Sequence, residues 1–123
     1  MVATEVQKAR RRVYINQYYR DHPTRYTVYK IKLQCRYYGI KPWQYVETWH
    51  AQRGLCGICL DPLGGKAHVD HDHKCCNRAR ACGKCFRGLL CKRCNAGIGY
   101  LRESEFIFQQ AIKWVAPKTV QGA

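Results

Sequence analysis

The sequence predicts a small α+β fold that depends on bound zinc and carries helices at both ends of the chain. The 123-residue chain contains only three Phe and one Met. Two Cys-x-x-Cys pairs, Cys56/Cys59 and Cys91/Cys94, enclose short strand-like segments. A small apolar core is a weak driver of folding, and a structural metal ion compensates for it. The length fits one domain with terminal extensions.

The N-terminal region, residues 1–54, is predicted to be a basic helical arm. Residues 4–20 form its first helix, because Thr4 can cap the N-terminus and Gln7 occupies the capping-box position. Tyrosines in and after this helix are interleaved with arginines, a pattern that either stacks on nucleic-acid bases or packs between helices. Packing is the more frequent role of tyrosines at helical spacing.

Two further helices are predicted in this arm. Residues 24–38 alternate loosely as a strand would, but the segment is long enough for a helix ending at Gly39, and we expect the helix. Pro42 suits the first turn of the next helix, in which apolar residues recur at helical spacing, and Gly54 is placed to stop it. The lone Cys35 is expected to be a buried, small apolar side chain.

Residues 55–101 are predicted to form the zinc-bound core. A short strand is expected at 67–71 and a second at 88–90, followed directly by a helix. Residues 102–123 form a C-terminal helix and tail, in which Ser104 suits the N-cap. The apolar side chains of this last helix are expected to dock on the domain or on a second subunit.

The formal net charge is +14 at pH 7, and one zinc bound by four thiolates lowers it only to about +12. Such one-sided charge favours a polyanion, and nucleic acid fits better than a membrane surface because no clear basic amphipathic helix stands out. No apolar run has the length of a membrane span, and the N-terminus shows no signal-peptide core. The odd number of cysteines, nine, and their pairing then predict a soluble protein of a reducing cytoplasm.

The two Cys-x-x-Cys pairs predict one structural zinc site. Four thiolates arranged tetrahedrally leave zinc no open position for catalysis. Two disulfides are the alternative, which the cytoplasmic interpretation disfavours. A second zinc site between the pairs would require adjacent cysteines to bind one ion, which they can do only if the backbone bends. Free thiols and a local disulfide are the alternative interpretations. Its candidate ligands are Cys75, Cys76, Cys82 and Cys85.

Acidic and imidazole side chains are concentrated between the zinc pairs, at His68 and at residues 70–73, which read Asp-His-Asp-His. Hydrolysis of a phosphodiester needs a base for water, a cation for the developing charge and help for the leaving oxygen. A histidine supplies the first, and Mg²⁺ held by a carboxylate and an amide oxygen supplies the others. The alternative interpretation is a solvated, charged turn.

From Leu55 to Tyr100 the chain contains C-G-I-C, A-H-V-D-H-D-H, R-G-L-L-C-K-R-C-N and G-x-G-Y in that order. In order and spacing these motifs resemble the recombination endonuclease VII family of phage HNH, or His-Me finger, nucleases. The resemblance implies a zinc-stabilised ββα core. It also implies a structural zinc on the paired cysteines and a catalytic Mg²⁺.

The resemblance further implies roles for individual residues. Asp70 and Asn95 would bind Mg²⁺, and His71 would be the general base, with His73 as the alternative. His68 and His73 would orient other groups or contact phosphate. Because strand alternation sends Asp70 and His71 to opposite faces, the strand must end, bulge or twist there. Some relatives carry an acidic residue three positions after this asparagine; isoleucine stands here, so no third acidic group is expected.

We therefore expect a metal-dependent DNA endonuclease that resolves branched DNA such as Holliday junctions, in the host cytoplasm if it is phage-encoded. Symmetric resolution uses two active sites, so a homodimer through residues 104–115 or the N-terminal helices is expected. The alternatives are a general HNH nicking enzyme, as in phage DNA packaging, and an inert zinc-ribbon DNA-binding module; RNA is a further candidate substrate. Basic residues expected to contact phosphate are Arg78, Arg80, Lys84, Arg87, Lys92 and Arg93.

Overall fold

The computed structural model describes residues 2–76 and 81–117. The two strands of this part form one antiparallel sheet, and helices precede and follow it, which confirms a small α+β fold with helices at both ends. The elements in chain order are α1 (Glu5–Asp21), α2 (Pro23–Tyr38), α3 (Pro42–Ala51), β1 (His68–His71), β2 (Phe86–Leu90), α4 (Lys92–Tyr100) and α5 (Glu105–Val115).

The N-terminal helices begin and end close to the predicted positions. The Thr4 side chain accepts a hydrogen bond from the Gln7 backbone, and the Gln7 side chain accepts one from the Thr4 backbone, which completes the capping box. The ambiguous second segment is a helix, and it ends at Gly39, whose φ of 69° is left-handed and favours glycine. Pro42 lies in the first turn of α3, as predicted.

Tyrosines pack against one another where α1 meets α2. The ring of Tyr19 stacks on that of Tyr29, with centroids 5.2 Å apart, and lies 5.4 Å from that of Tyr26. Tyr14, one turn earlier, is exposed. Packing between helices therefore accounts for the tyrosines at the centre of this hairpin, as their helical spacing indicated.

The buried core is small and lies between α2, α3 and the sheet. Cys35 is 1% exposed, as predicted for the lone cysteine. The core draws on the end of the N-terminal region as well as on the cysteine-rich segment. The members of the core are Cys35, Ile40, Tyr45, Cys56, Leu63, Ala67, Val69, Leu89 and Leu90. The division of the chain after residues 54 and 101 stays a prediction.

Glutamine side chains from the helices occupy both outer edges of the sheet. At β1, the Gln34 amide donates to the Ala67 carbonyl at 2.9 Å and accepts from the Val69 N–H at 3.0 Å. At β2, the Gln52 amide donates to the Leu89 carbonyl and accepts from the Leu89 N–H, both at 2.9 Å. Each amide takes the place of a neighbouring strand, which matters because an isolated two-stranded ribbon is only marginally stable.

The pairing of β1 with β2 changes register at the end of β1. Asp70 pairs with Gly88, whereas His71 pairs with Phe86, so Arg87 is an extra residue on β2. The pairing is therefore irregular between Asp70 and His71, as predicted, but the extra residue lies on the partner strand. A bulge bends and twists the strand that contains it, and β1 itself ends at His71.

The last helix, α5, presents apolar side chains outward. Phe106 is 68% and Ile112 65% exposed. Ser104 caps the helix as predicted, with its hydroxyl accepting a hydrogen bond from the Ile107 N–H at 3.2 Å. In the part of the chain that the structure describes, no helix has the length and apolar character needed to cross a membrane.

Candidate active site and metal centres

The side chains of Cys56, Cys59, Cys91 and Cys94 converge, with their sulfur atoms all within 4.8 Å of one another. The sulfurs of Cys59 and Cys91 are 3.9 Å apart. Two sulfurs bound tetrahedrally to one zinc, each at about 2.3 Å, lie roughly 3.8 Å apart, whereas a disulfide would bring them to about 2 Å. All nine cysteines lie within the described residues and are free thiols. This first tetrad can therefore hold zinc.

Backbone N–H groups point at the sulfurs of the first tetrad. Cys91 caps α4 by accepting from the Cys94 N–H at 3.4 Å, and its own N–H donates to Cys56 at 3.4 Å. Burial alone would raise the pKa of Cys56, but the N–H groups of Cys91, Ile58 and Cys59 lower it to about 6. Burial, together with the neighbouring sulfurs, raises the pKa of Cys94 to about 12. A bound cation is what allows four such thiols to ionise together.

A second tetrad lies in the segment between β1 and β2. Its four sulfurs also lie within 4.8 Å of one another. This tetrad, too, can hold a zinc ion, and its members are Cys75, Cys76, Cys82 and Cys85.

Asp70, His71 and Asn95 line one cavity of about 410 Å³. The end of β1, opposite the bulge in β2, supplies the first two, and α4 supplies Asn95, one residue after the last cysteine of the first tetrad. His73 also lines the cavity, and Tyr38 at the end of α2 forms part of its wall. The structure thus brings together four of the five residues that the sequence singled out for catalysis.

The imidazole of His71 is 4% exposed and is held from several sides. Its Nδ1 lies 3.8 Å from the Cys85 sulfur. The ring centroid lies 5.4 Å from that of Tyr38 and 4.4 Å from that of His73. Because Nδ1 is turned toward the cysteine, Nε2 is the nitrogen left for a partner in the cavity. This geometry suits a general base.

The Asp70 carboxylate is buried and ion-paired with Arg87, the bulged residue of β2. Arg87 Nε donates to one oxygen at 2.8 Å and Nη2 to the other at 3.2 Å. The Asp70 carboxylate, followed by that of Glu103, raises the pKa of Arg87. A carboxylate has about four lone-pair positions, so Asp70 keeps capacity for a further partner. The oxygen donors of Asp70 and Asn95 fit a hard cation such as Mg²⁺.

The sequence did not indicate that Glu103 lies beside His73 and Arg87 at this site. Its carboxylate accepts a hydrogen bond from His73 Nδ1 at 2.9 Å and pairs with Arg87. Burial would raise the pKa of Glu103, but His73 and Arg87 hold it below its usual range. The turn after α4 carries it there through left-handed φ values of 59° at Arg102 and 49° at Glu103, which are uncommon for residues other than glycine. A third carboxylate thus lies beside these residues although isoleucine occupies the motif position, and the expectation that no third acidic group takes part in the reaction stays a prediction.

His68 lies apart from this group and lines a neighbouring cavity of about 630 Å³. Burial lowers the pKa of His68, and the charges of Lys92 and Lys30 lower it further. Lys30, Lys66 and Lys92 line the same cavity. The two cavities share Tyr38 in their walls.

The basic residues predicted to contact phosphate differ in their surroundings. Arg93 pairs with Asp61 at 2.9 Å, and Arg87 is engaged by two carboxylates. Their roles as phosphate contacts stay predictions. Of the others, Lys84 and Lys92 are exposed, and Arg78 and Arg80 lie outside the described residues.

The fold and the site together define a small α+β protein with cysteine tetrads suited to zinc. The buried side chains of Asp70 and His71 line one cavity together with the amide of Asn95. The chain belongs to the recombination endonuclease VII family, whose model matches residues 31–117. This confirms the resemblance drawn from the motifs and supports a nuclease.

Two phage proteins are similar to this chain. The Gene 59 protein of Mycobacterium phage L5 is 36% identical over 88 residues, which cover 68% of this chain and 49% of that protein. The Gene 59 protein of Mycobacterium phage D29 is also 36% identical over 88 residues, covering 68% of this chain and 48% of that protein. The chain thus spans about half the length of these relatives.

Proposed function

We propose that this protein is a metal-dependent endonuclease that hydrolyses phosphodiester bonds in DNA, with branched DNA as its preferred substrate. Under this proposal, β1, β2 and α4 form a ββα core of the His-Me finger, or HNH, type. The observation that carries it is the meeting of Asp70, His71 and Asn95 at one cavity. A module that only binds DNA has no need of this combination of base and hard-cation donors.

His71 acts as the general base in this proposal. Its Nε2 accepts the proton of the attacking water, while Tyr38, His73 and the Cys85 sulfur hold the ring in place. Asp70 and Asn95 would hold Mg²⁺, which would supply charge neutralisation at the phosphate and at the leaving oxygen. His73, held by a carboxylate at 2.9 Å, is the second candidate for the base.

Two ion-paired groups keep the Asp70 carboxylate in one orientation. Arg87 contacts both of its oxygens, and Glu103 accepts from the same Arg87 Nη2 that contacts Asp70. Because loss of Arg87 would leave the buried carboxylate without its partner, this arrangement keeps the carboxylate aimed at the same place between turnovers. The first cysteine tetrad binds a structural zinc that holds Asn95 opposite Asp70.

The lysine-lined cavity beside the active site is suited to the DNA backbone. Lys30, Lys66 and Lys92 are exposed around it, and no acidic side chain of residues 2–76 and 81–117 lines it. Tyr38 connects it to the catalytic cavity. Phosphates that follow the scissile bond would enter this cavity, where lysines fix the register of the substrate without reading its sequence.

Replacing Lys30 and Lys66 together by glutamine is expected to weaken binding to DNA and to reduce its salt dependence. Each lost phosphate contact lowers the slope of log K against log salt concentration by about 0.9, so the double variant should lose about 1.8. Cleavage at saturating DNA should be unchanged, because neither lysine lines the catalytic cavity. Lys113→Gln on α5 is the matched control, and an equal change in that variant would contradict the assignment.

The proposed activity is tested by offering linear duplex, supercoiled plasmid and an immobile four-way junction, each with Mg²⁺ or with a chelator. We expect cutting that requires Mg²⁺ and prefers the junction, with paired cuts that indicate a homodimer. Equal cutting of all three DNAs would indicate a general nicking enzyme. Absence of cleavage of any DNA or RNA would leave a zinc-dependent binding module.

A further inference from the structure

The second tetrad has the spacing of a metal site. The sulfurs of Cys75 and Cys82 are 3.8 Å apart, and those of Cys82 and Cys85 are 3.9 Å apart. These distances match the roughly 3.8 Å edge of a zinc–sulfur tetrahedron and are nearly twice a disulfide bond length of about 2.05 Å.

The backbone before Cys75 bends in the way that two adjacent ligands require. The N–H groups of Cys75 and Cys76 both donate to the Asp72 carbonyl at 3.1 Å. The Lys74 N–H donates to the Asp72 carboxylate at 2.9 Å. The Asp72 N–H in turn donates to the Cys85 carbonyl at 2.9 Å, which joins the two ends of the segment. One residue, Asp72, thus organises the turn that lets neighbouring cysteines converge.

A close approach of two glycines fixes the other half of the segment against α2. Gly39 and Gly83 both have left-handed φ, 69° and 80°. A Cβ on Gly83 would lie 2.1 Å from the Gly39 carbonyl oxygen, and one on Gly39 would lie 2.9 Å from the Ala81 oxygen. Only glycine at both positions allows this contact. The segment that carries Cys82 and Cys85 is therefore seated on the end of the helix that also supplies Tyr38.

The tetrad also adjoins the proposed general base. Cys85 immediately precedes β2, whose first residue pairs with His71, and its sulfur lies 3.8 Å from His71 Nδ1. We propose that Cys75, Cys76, Cys82 and Cys85 bind a second zinc ion, which closes the β1–β2 hairpin and holds the His71 ring in its orientation. The zinc site stands independently of the nuclease assignment, whereas its effect on catalysis rests on that proposed function.

The metal site is tested by counting zinc in the intact protein with native mass spectrometry. We expect about two zinc ions per chain, about one in Cys82→Ser, and two again in Cys82→His, because an imidazole nitrogen can replace the lost thiolate. Cys35→Ala, which removes the cysteine outside both tetrads, should keep two. About one zinc per chain, unchanged by Cys82→Ser, would overturn the proposal, as would a disulfide within this tetrad in the purified protein.

The positioning of His71 is tested by NMR of the imidazole ring nitrogens, a readout that does not depend on activity. The His71 signals, assigned with His71→Ala, should be sharp in the parent protein and in Cys82→His and broadened or shifted in Cys82→Ser. With junction DNA, Cys82→Ser should lower kcat about 10-fold or more with little change in KM. Loss of one zinc with unaltered His71 signals would refute the positioning role and leave a metal that serves only the loop.

Discussion

Replacing His71 by alanine is expected to lower the rate of DNA cleavage by at least about 100-fold, because a positioned general base contributes about 10²–10⁴-fold to proton transfer. The ring is buried at the bulge and lines the cavity with Asp70 and Asn95. Binding of DNA should change little, since His71 is 4% exposed and phosphate contacts come from exposed side chains. Cleavage rates at saturating DNA, measured beside the dissociation constant, separate the two effects.

Control measurements and variants distinguish loss of the general base from loss of the fold. Circular dichroism and zinc content should match the parent protein, and His71→Gln, which keeps more of the side-chain volume, should be as inactive as His71→Ala. His50→Ala, an exposed histidine on α3, should be fully active. If His71→Ala cuts normally while His73→Ala does not, the base is His73.

Local sequence signals were sufficient for most of the fold. Thr4, Gly39, Pro42 and Ser104 act at helix ends as their chemistry predicts, because capping depends on neighbouring backbone groups alone. The irregular pairing after Asp70 and the end of β1 at His71 could be anticipated as well, since two residues needed at one cavity cannot alternate along a regular strand.

Contacts between distant segments could not be predicted in the same way. Gln34 and Gln52 complete the edges of the sheet, yet one is an ordinary polar residue of α2 and the other only follows the end of α3. Their partners in the sheet are more than 30 residues away. Glu103 reaches His73 only because two residues of the α4–α5 turn adopt left-handed backbone conformations. The isoleucine at position 98 did not indicate that a carboxylate from outside the motif, that of Glu103, would lie beside His73.

The adjacency of Cys94 and Asn95 links the two halves of the proposed site. The first tetrad joins the segment before β1 to the start of α4. Of the proposed Mg²⁺ ligands, Asn95 lies on α4 and Asp70 lies on β1, which follows that segment. A side chain one residue from a zinc ligand cannot keep its position if the tetrad opens. The fold and the cleavage activity should therefore depend on the same zinc ion. This dependence is stronger than the motif spacing alone implies.

Replacing Cys91 by serine is accordingly expected to abolish cooperative folding together with cleavage. Structural zinc contributes an apparent binding free energy of about 10–16 kcal/mol, which equals or exceeds the roughly 5–15 kcal/mol of net stability of a typical domain. Among the described residues, the core has nine buried apolar members, so little else can replace that contribution. Serine keeps the backbone N–H that donates to the Cys56 sulfur and can still cap α4, so the change isolates the loss of one metal-binding thiolate.

Thermal melting followed by circular dichroism, with and without a chelator, measures this dependence. Cys91→Ser should melt without a cooperative transition and contain at least one zinc fewer than the parent protein, and chelation should give the parent protein the same behaviour. Asn95→Ala is the matched control, because it removes the adjacent Mg²⁺ ligand but leaves every thiolate in place. That variant should melt like the parent protein and still fail to cleave. A Cys91→Ser protein that kept its zinc and a cooperative melt would show that the first tetrad does not hold the fold.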